Sequence, residues 1–176
     1  MDTMKTLLAF SVILPLLGSV FYTKSRGHNH KPEGAAVSYE YNYSSTMAYP
    51  LTYYKVEKDS AGQVRIAWLK NHGPDVLAIK GTEEVLERIG ALSAQYKLHR
   101  IKQSYWPSVQ VLDGTSWHMY LRFQKGSISS GGNNASAPAR RMQGIYSIND
   151  YLQSLIDAST EADIILREDY RTFIGR

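Results

Sequence analysis

Residues 37–44 read VSYEYNYS and alternate without a break. Tyr39, Tyr41 and Tyr43 fall on one side of an extended chain. Ser38, Glu40, Asn42 and Ser44 fall on the other, which is the two-residue period of a strand. The segments that follow repeat the form. Residues 52–58 (TYYKVEK) follow Pro50, residues 64–70 (VRIAWLK) follow a turn at Gly62, and residues 75–80 (DVLAIK) follow the turn NHGP at 71–74. Within 64–70, Val64, Ile66 and Trp68 share one face. Short strands joined by tight turns predict an antiparallel meander.

The period changes at Thr82. Thr82 suits an N-cap, and Glu83 and Glu84 suit the positive end of a helix. Val85, Leu86, Ile89, Leu92 and Tyr96 recur at three- and four-residue spacing and make one apolar face. Gly90 weakens this helix slightly without forbidding it. Lys97, His99 and Arg100 suit its negative end. Strands return after Trp106-Pro107. Asp113-Gly114 is a turn signal, and residues 115–124 alternate, with Trp117, Met119, Leu121 and Phe123 on one face. Gly126 turns the chain into a short strand at 127–130, and residues 130–138 (SGGNNASAP) form a loop. Ser147 is the expected cap of a second helix, with Asp150 three residues on. Its apolar face is Ile148, Tyr151, Leu152, Leu155 and Ile156. The fold predicted is α+β: an antiparallel β-sheet meander with two helices packed on one face. Trp117, Leu121, Phe123, Leu86, Ile89, Leu152 and Leu155 are its expected core.

Outward from this domain, residues 7–22 (LLAFSVILPLLGSVFY) are almost wholly apolar and follow Lys5. Ten of them are Leu, Ile, Val or Phe, so insertion in a membrane gains roughly 3–6 kcal/mol. As a helix the run reaches only about 24 Å, short of a ~30 Å hydrocarbon core, and Pro15 would kink a permanent span. Small residues, Gly18 and Ser19, stand near its end. This is the outline of an export signal. Lys24, Arg26 and Lys31 after the run favour instead a cytoplasmic domain if the segment stays uncleaved. A buried N-terminal helix is the remaining reading. The organisation expected is a signal peptide or membrane anchor at 1–22, a flexible linker at 23–36, a single domain at 37–160 and a C-terminal tail at 161–176. Within that tail Ile164-Ile165-Leu166 suits either a strand or a continued helix.

Composition narrows the chemistry. The chain has no cysteine, which excludes disulfides, thiolate metal sites, cysteine nucleophiles and the lipid-accepting cysteine of a lipoprotein. A secreted chain without disulfides suits a bacterial source. Half of the net charge of +4 comes from the first 33 residues, where Lys5, Lys24, Arg26 and Lys31 oppose Asp2 and Glu33. No basic stripe remains to follow a nucleic-acid backbone, the only tight pair being Arg140-Arg141. His28 and His30 lie in the linker with no third ligand beside them. His72, His99 and His118 are scattered, so neither a metal nor another cofactor is expected.

Two groups of residues bear on function. Asp113, Ser116 and His118 invite a hydrolase reading, but Ser116 and His118 share a strand face about 7 Å apart, too far for direct contact of nucleophile and base. No nucleophile-elbow motif accompanies them. The tyrosines are more suggestive. Tyr39, Tyr41 and Tyr43 present broad apolar rings with hydrogen-bonding tips, a combination enriched where surfaces bind. Equally, such rings line a sheet that packs against helices.

Leu112, Asp113, Gly114, Ser116 and Trp117 form the pattern LDG-x-SW. An alternating strand, a Gly turn, Ser-x-Ser-x-Gly and an Asn before Pro138 follow it. With a helix before and a helix after, residues 37–158 resemble a family of small uncharacterised bacterial domains found in exported or lipoprotein-like chains. The resemblance implies an envelope setting and no particular activity. The loop at 133–138 is less aromatic than that pattern. The expectation is a non-catalytic binding or accessory domain, extracytoplasmic (periplasmic, secreted or membrane-anchored). Tyr39, Tyr41 and Tyr43 are its candidate ligand-binding residues, and an envelope glycan or protein its partner. Nucleic acid is not a partner, and the membrane enters only through the N-terminal segment. The alternatives are a small hydrolase with a site around Asp113 and His118, or an intracellular structural domain with a buried N-terminal helix.

Overall fold

Alternation of large and small side chains produces a sheet here because each strand has one face to bury. The computed structural model describes residues 24–45, 49–70, 73–109, 111 and 114–175. The strands are β1 (Lys24–His28), β2 (Glu33–Ser44), β3 (Thr52–Lys58), β4 (Val64–Leu69), β5 (Asp75–Lys80), β6 (Lys102–Trp106), β7 (Ser116–Lys125), β8 (Ser127–Asn133) and β9 (Ile164–Asp169). The helices are α1 (Glu83–Gln95), α2 (Ala139–Asp157) and α3 (Tyr170–Ile174), with 3₁₀ turns at Leu98–Arg100 and Glu161–Asp163. The fold is α+β, and the strands form one nine-stranded sheet in the order β1-β6-β8-β7-β2-β3-β4-β5-β9.

The meander read from β2 to β5 is present, each strand antiparallel to the next. The β3–β4 turn is held by Asp59, whose carboxylate accepts from the amides of Ala61 and Gln63 at 2.9 Å each. β7 lies antiparallel on the other side of β2, with Tyr41 facing both Tyr54 and Met119. The expectation of a wholly antiparallel sheet fails at one pair. β6 runs parallel to β8, with Ser104 opposite Gly131 and Tyr105 opposite Gly132. The cause is α1. It carries the chain from β5, beside one edge of the sheet, to β6 beside the other, so β6 docks on β8, a strand to which no hairpin turn joins it and whose direction it need not oppose.

Helix α1 starts where Thr82 predicts, in extended conformation and without a side-chain cap bond. It buries Val85, Leu86, Ile89 and Leu92. It stops at Gln95. Lys97 then turns left-handed at φ 52°, so Lys97, His99 and Arg100 lie beyond the helix rather than in its last turn. Helix α2 starts eight residues before the expected cap. Ser147 lies inside it, and its hydroxyl donates to the Tyr96 hydroxyl at 3.2 Å. Met142 and Ile145 extend the three- and four-residue spacing backwards, and both are buried. Tertiary contact therefore continues the helix across a polar residue that suits a cap.

One buried cluster joins Tyr39, Tyr41, Val56, Ile66 and Leu121 to residues of α1 and α2, among them Ile89, Ile148 and Leu152. A second cluster holds Tyr53, Ala67, Leu69, Val76 and Ala78 with Tyr170. Its strand residues alternate with those of the first cluster, so it lies on the opposite face. The segment read as a tail closes this second cluster. β9 adds antiparallel to β5, and Tyr170 meets Tyr53 edge-on at 5.3 Å between ring centres.

The segment read as a flexible linker is paired too. β1 runs antiparallel to β6. Asn29 then stitches the chain down. Its amide donates to the carbonyls of Ile101 (2.8 Å) and Ser129 (3.0 Å), and its carbonyl accepts the Ser129 amide (2.9 Å). Polar and glycine-rich composition hid the β1–β6 ladder, which runs through backbone groups that any residue carries. No helix among the described residues is long and apolar enough to cross a membrane. The apolar run at 7–22 lies outside them.

Candidate functional site

The three tyrosines of β2 have different surroundings along one strand. Tyr39 is wholly buried, and its hydroxyl donates to Asn149 Oδ1 of α2 at 2.7 Å. Tyr41 is buried beside it. Burial raises both hydroxyls well above the ordinary tyrosine value, with neighbouring tyrosines adding to the effect. Tyr39 and Tyr41 are thus neutral core residues over the physiological range, under a helix rather than on an open face. Tyr43, two residues further, is half-buried.

At that end of the strand Tyr41 and Tyr43 form one wall of an open cleft of about 530 Å³. Trp117, Asn134, Ser136 and Tyr146 complete it, with Thr115 and Met142. No lining residue carries a formal charge. The Trp117 indole nitrogen donates to the Ala135 carbonyl at 2.8 Å, and its ring stacks on Tyr105 with centres 6.2 Å apart. Asn134 adopts φ 47° and accepts the Thr115 amide through Oδ1 at 2.9 Å. Its own amide donates to the Thr115 carbonyl at 2.8 Å. The loop at 133–137 is therefore held against β7 by its own polar groups. Gly132 is required for this closure, because a Cβ there would collide with the Ala135 carbonyl and the Trp117 nitrogen. Tyr146 of α2 is half exposed, its ring free to meet a ligand. The arrangement offers aromatic faces, amides and hydroxyls, with no group poised as nucleophile or base.

The residues of the hydrolase reading do not assemble. Asp113 lies outside the described residues. Ser116 and His118 share the outer sheet face, where the His118 Nε2 approaches Ser129 Oγ of β8 at 3.4 Å instead. Both ends of that contact stand on an open sheet face, and neither lines the aromatic cleft. Among the described residues no three His, Asp or Glu side chains converge as a metal site would need.

Sequence reading found one of the cleft's walls through Tyr41 and Tyr43. It missed Trp117 as a lining residue, along with Asn134, Ser136 and Tyr146. Tyr146 stands four residues after Met142, a spacing that becomes visible once α2 is started at Ala139. Compared with known proteins, the chain matches no family model, no curated protein and no solved structure.

Proposed function

We propose that the chain is an exported bacterial envelope protein whose domain binds a neutral glycan segment in the cleft at Tyr43, Trp117 and Tyr146, without catalysis. The observation that carries this reading is the cleft's wall: aromatic rings and uncharged donors and acceptors, about 530 Å³, open to solvent. Sugar rings present C–H faces to aromatic rings and hydroxyls to amides, so this wall suits them. An envelope protein partner is the runner-up, and nucleic acid is not part of the reading. Both main helices are inferred to cover the same sheet face, which leaves the cleft at the end of α2 open. The export signal at 7–22 and the resemblance of 37–158 to exported bacterial domains support the setting. The hydrolase around Asp113 and His118 remains the competing class.

Titration of the full chain with chito-oligosaccharides, followed by tryptophan fluorescence, tests the site. A saturable change lost in Tyr146→Ala and in Tyr43→Ser is expected. Absence of any change, or one that both variants retain, overturns the glycan reading. A hydrolytic activity that His118→Ala removes without loss of stability overturns the non-catalytic one. Export is checked by sequencing the amino terminus of protein from its host. A start between Val20 and Gly27 is expected. Soluble cytosolic protein with residues 7–22 intact refutes it.

A further inference from the structure

A second cavity, of about 390 Å³, lies away from the aromatic cleft, between the start of β2, the middle of α1 and the β7–β8 hairpin. Its walls are mostly small and apolar: Gly34, Ala35 and Ala36 from β2, Gly90 and Ala94 from α1, with buried Ile128 beneath and Phe123 and the buried Ser93 also on the wall. Lys31 and His99 also line it, from the chain ahead of β2 and from the 3₁₀ turn after α1. Glu87 is the one carboxylate on the wall.

Around His99 the tertiary structure brings Lys31 and Arg141 close to Lys97 and Arg100. Lys97 and Arg100 flank His99 in the same turn. The Arg141 guanidinium, from the first turn of α2, donates to the Tyr96 carbonyl beside them. Among the described residues, none of Lys31, Lys97, Arg100 and Arg141 is joined to a carboxylate in an ion pair. Like charges brought together in excess of the single Glu87 carboxylate cost stability and raise the local potential for an anion.

Gly90 is the independent sign that the slot is kept open. A glycine inside a helix is less favourable than alanine. Nothing in the packing demands it, since a Cβ at Gly90 would meet the Ala36 Cβ at an ordinary 3.6 Å. Gly144 of α2 differs, because a Cβ there would strike the Tyr96 side chain at 2.5 Å. What a side chain at position 90 would occupy is the slot itself.

We infer that this slot binds a small amphiphilic anion, an acyl chain ending in a carboxylate or phosphate. The aliphatic body lies along the Gly34–Ala36 and Gly90–Ala94 walls, and the head faces Lys31, His99 and Arg100. Small side chains suit a narrow unbranched chain, and the excess of cations over Glu87 suits its single charged end.

Calorimetric titration of the full chain with decanoate and with decyl phosphate, both below micelle-forming concentration, tests this. Decanol and inorganic phosphate serve as the tail-only and head-only controls. Saturable binding of at least one charged amphiphile is expected, with neither control competing. Lys31→Ser combined with Arg100→Ser, both exposed, should weaken it about tenfold, since two screened charge contacts together reach roughly that much. Gly90→Val should block it. Glu87→Gln should tighten it by removing the opposing charge. If Gly90→Val does not fold, the charge variants decide the matter alone. Absence of binding overturns the proposal. So does decanol binding as well as decanoate, phosphate competing as well as either amphiphile, or a signal that the double variant leaves unchanged. That last result would place the amphiphile on the apolar run at 7–22.

Discussion

Tyr39 and Tyr43 are the same residue type two pleats apart, and burial makes them different objects. The Tyr39 hydroxyl and Asn149 satisfy each other inside the core. Tyr39→Phe removes the donor and leaves the Asn149 carbonyl oxygen buried without it, a loss of about 1–3 kcal/mol. Tyr43→Phe, half-buried at the cleft, should cost under about 0.5 kcal/mol. Urea unfolding of the two variants checks the contrast, and equal losses would contradict the placement of Tyr39. Burial also raises the hydroxyls of Tyr39, Tyr41 and Tyr53 above their ordinary value of 10.0. Above pH 10 the unfolded chain therefore releases protons that the folded chain keeps, and stability falls as pH rises. An alkaline unfolding transition that is shifted upward in Tyr39→Phe, when each midpoint is compared with the same protein's stability at pH 7, checks the sign. That these rings share a face was legible in VSYEYNYS. Which of them reach a cleft was not, because the answer depends on where α2 crosses the strand.

Helix α2 shows what an element owes to its neighbours. Its first turn carries Arg140 and Arg141 and no acid, and Pro138 before it supplies no side-chain cap. Local signals thus disfavour a start at Ala139. Burial of Met142, Ile145, Ile148 and Leu152 outweighs them. Leu152 is fully buried, so Leu152→Ala should cost about 2–5 kcal/mol. Phe123, only partly buried, should cost clearly less on truncation, which calorimetric melting distinguishes. At the other end of the chain, Thr160 and Asp163 form a reciprocal cap that leads into β9. Hydrogen bonds from the Thr160 amide and hydroxyl hold the Asp163 carboxyl below its ordinary value of 3.8. Its support for the cap is therefore present above that pH and is lost as pH falls through the lowered value. Asp163→Asn should speed amide exchange in β9 near neutral pH, and the difference from wild type should vanish in acid. Unchanged exchange at neutral pH would show that β9 docks without this cap.

Across the whole molecule the two ends of the described chain occupy the two edges of the sheet, β1 beside β6 and β9 beside β5. Ending the chain at Thr160 would remove β9 and α3 together. Tyr53, Leu69 and Val76 would lose Tyr170 and Phe173, and β5 would become an open edge. The shortened protein should aggregate or melt well below the intact one, as sedimentation and thermal unfolding would register. A monomeric protein of unchanged stability would show the segment to be the dispensable tail that its composition suggests.

Periodicity alone determined the α+β class, the run from β2 to β5, the start of α1 and the shared face of the tyrosines. Each of these depends on residues within a few positions of one another. The apolar run at 7–22 and the absence of cysteine are likewise properties of the chain itself. The parallel pairing of β6 with β8, the places of β1 and β9 at the edges and the early start of α2 were decided only in three dimensions. So were the cleft at Trp117 and Tyr146 and the convergence of Lys31, Lys97, Arg100 and Arg141. Backbone hydrogen bonds carry no sequence signature, and cations far apart along the chain repel or cooperate only after folding brings them together.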